Sequence, residues 1–168
     1  MKTTLQLTLK KITQHARAIA TASVLLGVSA LPVLAQAANF DSITIAPGFS
    51  AAAGAAQGYT GGSFSLSSLE NRDRNGNLCL GFSASSTPDH LLVLEQNFGN
   101  LTLQVDSGGN DTTLAIQAPD GAMLCGDDTG RNKDASIQTG RLSAGTYRVW
   151  VGSFDSGARY SYTLRAQE

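Results

Sequence analysis

After residue 40 the chain alternates apolar and polar positions with period two, and no segment there sustains the 3.6-residue period of an amphipathic helix. Leu101, Leu103 and Val105 are interleaved with Thr102 and Gln104, and Leu114, Ile116 and Ala118 repeat the pattern. Tyr147, Val149 and Val151 share one face while Arg148 and Trp150 share the other, and Tyr160, Tyr162 and Leu164 close the chain in the same way. Each run predicts a strand with one face in a core and one face out. Shorter apolar runs at residues 41–45, 63–69, 78–84, 90–95, 123–125 and around Ile137 predict further strands. Between them lie turn signals such as Pro47-Gly48, residues 71–77, Ser107-Gly108-Gly109-Asn110 and Pro119-Asp120-Gly121. Many short strands at this spacing predict an all-β antiparallel sandwich of eight or nine strands in two sheets. Residues 50–62 are small and flexible in composition and predict a surface loop, and residues 126–134 predict a long charged one.

The first 37 residues follow a different pattern. Residues 1–17 are polar and basic, residues 18–34 are an apolar run, and Ala35-Gln36-Ala37 is a small-x-small cleavage pattern with no stop-transfer charges after it. This predicts a Sec-type signal peptide cut near Ala37 and a product that is secreted or periplasmic. The apolar run is short for a membrane anchor and contains Ser29 and Pro32, and no later stretch approaches the roughly 20 apolar residues of a spanning helix. Stable membrane insertion after cleavage is therefore not expected.

Charge changes once the signal is set aside. The whole chain has 12 basic and 13 acidic residues, a net of -1. Four of the bases, Lys2, Lys10, Lys11 and Arg17, lie in the signal, which leaves 8 bases against 13 acids, or -5. A domain of that sign is not built to bind nucleic acid. Cys79 and Cys125 both follow the signal, and in an oxidising compartment they predict a structural disulfide. They are 46 positions apart, so closing that loop is worth about 4 kcal/mol in the chain-entropy account. A redox pair wants a Cys-x-x-Cys spacing beside a helix, which is absent.

Five short motifs then stand in a recognisable order: Asp111-Thr112-Thr113-Leu114, Pro119-Asp120-Gly121, Cys125-Gly126-Asp127-Asp128, residues 144–152 (Ala-Gly-Thr-Tyr-Arg-Val-Trp-Val-Gly) and residues 160–164. Over roughly residues 88–165 the chain resembles the bacterial pre-peptidase C-terminal (PPC) domain. The resemblance implies a small jelly-roll-like β-sandwich with no catalytic residues of its own. It also implies a part in adhesion, in substrate binding or in the secretion of an attached enzyme. The expected organisation is a signal over 1–37, an N-terminal strand and flexible segment over 38–77 outside the resemblance, and a PPC-like sandwich over 78–168.

Function is expected to be that of an exported, non-catalytic binding or accessory module, engaging an extracellular or envelope protein or a polysaccharide. The alternative is a small secreted hydrolase or peptidase-associated protein using His90, the one histidine after the signal, beside Asp89. No Gly-x-Ser-x-Gly elbow supplies its nucleophile. No cofactor is required by the sequence, but calcium has two candidate places. Asn71, Asp73 and Asn75, with Gly76 after them, match the first half of an oxygen-ligand loop, although Phe82 stands where the bidentate Glu of an EF-hand belongs. Asp127 and Asp128, with Asp134 six positions on and Asp111 near, form the second. Turn capping and pairing with Arg131 and Lys133 would account for the same acids without a metal. Trp150, the only Trp, alternates with Val149 and Val151, so it is expected to face outward with Arg148 as a platform for sugar rings or a partner protein. Cover by a loop such as residues 126–134, or a strand buried on both faces, is the other reading of the same pattern.

Overall fold

The computed structural model describes residues 37–129 and 132–168. The signal peptide expected over residues 1–37 lies outside the described residues except for Ala37, as does Arg131. Among the described residues, twelve strands run in the order β1 (Ile43–Ile45), β2 (Ala55–Tyr59), β3 (Phe64–Ser65), β4 (Phe82–Ser83), β5 (His90–Leu94), β6 (Leu101–Asp106), β7 (Thr112–Gln117), β8 (Met123–Gly126), β9 (Asp128–Thr129), β10 (Asn132–Thr139), β11 (Gly145–Ser153) and β12 (Ser161–Gln167). A 3-10 turn, Leu66–Ser68, follows β3. No helix among the described residues is long and apolar enough to cross a membrane.

The sandwich has a seven-stranded and a five-stranded sheet. In the larger one the long strand β11 is the hub. Its first half pairs with β5, its second half with β7, and its last residue, Ser153, faces Phe82 of β4. The smaller sheet runs β2-β12-β6-β10-β9. The inner faces meet in one core. Leu92, Leu94, Leu114, Ile116, Val149 and Val151 come from one sheet, and Leu101, Leu103, Val105, Ile137 and Leu164 from the other. Their period-two spacing in the sequence is what sends all of them to the same side.

Several expectations are corrected here. Residues 38–77, expected as an N-terminal strand and flexible segment, supply strands to both sheets: β1 joins β5, β2 joins β12 and β3 joins β4. Residues 50–62, expected as a surface loop, contain β2, whose small side chains hide a strand that buries only Ala56. The β1–β5 pair is parallel, Ile43 opposite Leu92, in an otherwise antiparallel ladder. That direction is open to it because the chain leaves β1 for β2 in the opposite sheet before returning. The count exceeds eight or nine because two-residue strands such as β3, β4 and β9 are too short to show a period.

The larger sheet is also covered on its outer face. Leu66, Cys79, Ala115, Met123, Cys125 and Trp150 form a second, smaller core there, with Leu69 packed against it. Strand β7 is accordingly buried on both sides. The cover is the segment between β3 and β4, clamped to β8 by the Cys79–Cys125 disulfide with a Cα–Cα distance of 5.2 Å.

Candidate functional site

The clamped segment owes its shape to Asp73. One carboxylate oxygen accepts the Asn75 and Asn77 backbone N–H groups at 2.8 and 2.9 Å, and the other accepts Asn77 Nδ2 and the Cys125 backbone N–H, both at 3.1 Å. Burial pushes the Asp73 carboxyl up, but the four donors outweigh it and hold the group below its ordinary range. Cys79 N–H to the Asn71 carbonyl and Arg74 N–H to the Met123 carbonyl complete the docking. Asn71 and Asn75 are exposed. The first calcium place is thus a turn built around a carboxylate whose two oxygens already accept N–H groups.

The second place divides. Asp134 is buried and accepts from Ser107 N–H at 2.9 Å, the Ser107 hydroxyl, Gly109 N–H at 3.1 Å and Asn132 Nδ2 at 3.2 Å, so it fastens the turn after β6 to β10. Asp111, Asp127 and Asp128 do come together, with one ligand atom from each inside a 4.8 Å group. Lys133 makes an ion pair with Asp111. Asp127 Oδ1 is buried without a hydrogen-bond partner among the described residues. Burial first, and then the neighbouring Asp128 and Asp111 charges, raise the Asp127 carboxyl above its ordinary value, against the Asp128 backbone N–H and Lys133.

Beside this trio lies a groove of about 410 Å³ between the clamped segment and β10. Leu78 and Leu80 stand on its rim, 48% and 37% exposed, and Asp127, Asp128, Ile137 and Gln138 line it. Period two around the disulfide explains the rim, since Cys79 turns in and its neighbours turn out. That signal is present in the sequence, inside the apolar run 78–84.

Trp150 is 2% exposed, which removes the expected platform with Arg148. Its indole N–H points to the Ser86 carbonyl at 3.3 Å, and its ring lies in the outer core under the clamped segment. Arg148 stays exposed, next to Gln117 Oε1 at 3.4 Å. His90 has no exposed surface. Its Nδ1 lies 2.7 Å from the Asp41 carbonyl and its Nε2 2.9 Å from the Tyr162 hydroxyl. A carbonyl only accepts, so Nδ1 carries the proton and the neutral ring accepts the Tyr162 O–H at Nε2. Burial holds the imidazole below its ordinary value, and it pushes the Tyr162 phenol up. Asp89 turns away from His90 to Asn39 Nδ2 and Val151 N–H, both at 2.9 Å. Both ring nitrogens are therefore occupied, and Asp89 does not orient the ring.

No family model matches the chain, and no curated protein matches it. Among solved structures it is similar to the pre-peptidase C-terminal domain of collagenase from Bacillus anthracis, with 14% sequence identity and a TM-score of 0.40. The likeness covers 76% of this chain and 94% of that one.

Proposed function

We propose that the protein is an exported, non-catalytic binding module of the cell envelope or medium, and that the groove beside the disulfide receives a protein segment carrying both apolar and basic side chains. The observation that carries this reading is the pair of exposed leucines on the rim of a carboxylate-lined groove. Exposed apolar anchors next to unneutralised charge suit a partner that supplies the complement. His90, the residue on which a hydrolase would depend, is enclosed and engaged at both nitrogens. We also propose calcium at Asp111, Asp127 and Asp128, whose ligand atoms come together.

The groove is tested by cross-linking the purified protein into its own envelope fraction and comparing it with a Leu78→Ser/Leu80→Ser variant. The wild type is expected to capture a discrete partner, with capture falling at least about tenfold in the variant while its melting temperature is kept. Equal capture by both proteins removes the groove from the interaction.

A further inference from the structure

A second recess, of about 310 Å³, shares no residue with the groove and lies where β2 ends. Tyr59, 44% exposed, forms one wall. The Arg159 guanidinium lies 3.5 Å above its ring centroid, and the Phe40 ring meets it edge to face at 4.9 Å. The two residues are brought together by the β2–β12 register, which pairs Tyr59 with Ser161. Arg159 forms no ion pair among the described residues, and no acidic side chain lines the recess. A stacked guanidinium keeps its N–H edge free, so the cation is held in place without being neutralised.

The other walls offer neutral hydrogen-bonding groups. Asn39 spends its amide N–H on Asp89 and the Thr87 carbonyl, which leaves its oxygen as an acceptor. The Gly61 N–H and C=O have no hydrogen-bond partner among the described residues. Nothing lies within 4 Å of where a Gly61 side chain would stand, and its φ of +154° suits glycine, so the wall there is bare backbone.

We infer that this recess binds a carboxylated sugar, a uronic acid unit of an acidic polysaccharide. The carboxylate would pair with Arg159, held in place on the Tyr59 ring, the ring hydroxyls with the Asn39 oxygen and the Gly61 backbone, and the apolar sugar face with the Phe40 ring. An acidic peptide side chain would use the cation but neither the hydroxyl-type partners nor the aromatic wall. The volume is at the lower end of small-ligand pockets, the size of one or two sugar rings. The domain carries -5 after the signal, so a polyanion is not drawn to it by bulk charge and retention would report a specific site.

Affinity electrophoresis in polygalacturonate, with pullulan and polyglutamate gels in parallel, provides the test. Retardation is expected in polygalacturonate alone. Arg159→Gln should weaken it at least about tenfold, and Tyr59→Ser should weaken it too, with thermal melts confirming that both variants fold. The inference is overturned if polygalacturonate fails to retard the wild type, or if Arg159→Gln is retarded as strongly. Equal retardation in polyglutamate overturns the sugar assignment, because a carboxylate alone would then suffice. Leu78→Ser/Leu80→Ser should behave as wild type here, which separates failure of this site from failure of the groove.

Discussion

Thr113 is fully buried on the outer face of β7, and its hydroxyl has no hydrogen-bond partner among the described residues. The chain passes close above it. A side chain on Gly81 would come within 2.2 Å of the Thr113 hydroxyl and one on Gly152 within 2.6 Å. Gly81 also has φ +89°, so two separate demands fall on glycine there. A buried hydroxyl without a partner costs its hydration, and an apolar group of the same shape avoids that cost. Thr113→Val is therefore expected to leave stability unchanged or raise it by about 1 kcal/mol in urea denaturation. Asp89 gives a pH-dependent counterpart. Burial raises its carboxyl from 3.8 to about 6, despite the Asn39 and Val151 donors. The folded state then holds its proton more tightly than the unfolded state, so this group's effect on stability becomes less favourable as pH rises from about 4 to about 6. The rise from 3.8 to about 6 corresponds to about 3 kcal/mol. His90 acts in the opposite sense. Its folded value lies below 6.5, so its contribution is kept above pH 6.5 and lost as pH falls. The two partly cancel in the wild type. Asp89→Asn keeps only one acceptor for the Asn39 and Val151 N–H groups but carries no charge, so its stability relative to wild type should improve as pH rises from about 4 to 7.5 in denaturation curves taken across the range. A difference that does not change with pH would assign the effect to something other than the buried charge.

The segment between β3 and β4 is held by one carboxylate, one disulfide and one small core rather than by regular pairing. Asp73→Ala would leave the Cys125, Asn75 and Asn77 N–H groups without their acceptor, at a cost of about 2–4 kcal/mol. Since Trp150 lies under the same segment, the loss should be visible as faster acrylamide quenching of its fluorescence, slow in the wild type and fast in the variant. Here the limits of the period-two signal are physical. It locates β6, β7, β11 and β12 because each has an inner apolar row. It misplaces Trp150 because β11 is buried on both faces, and alternation distinguishes two sides without saying that both are covered. Strand β2 was hidden because Ala, Gly and Gln carry no apolar row. Asp73 was legible as an oxygen donor in a turn, but a ligand for a metal and an acceptor for four N–H groups have the same sequence signature. The Arg159–Tyr59 contact, made across 100 positions, has no local signature at all.

At the scale of the molecule, the Asp111, Asp127 and Asp128 trio lies between the sheets. Asp111 precedes β7 of the larger sheet, and Asp128 opens β9 of the smaller one. Among the described residues only Lys133 offers a cation there, against three carboxylates, one of which has an oxygen without a donor. A divalent ion at that point would offset the repulsion and tie the two sheets, so its effect belongs to global unfolding rather than to one loop. Extracellular calcium modules bind with dissociation constants of about 0.1–1 mM. At about 10 mM calcium the linkage relation then gives about 1.4 kcal/mol or more, a rise of roughly 3–6 °C in melting temperature for a domain of this size. Starting from chelator-treated protein, the wild type should show that rise, and Asp127→Asn, which keeps the shape and removes a charge, should abolish it. The same calcium concentration should leave Asp73→Ala with its full rise, because Asp73 lies outside the trio. A wild-type melting temperature that stays fixed up to 10 mM calcium removes the ion and leaves Lys133 as the counter-charge of the site.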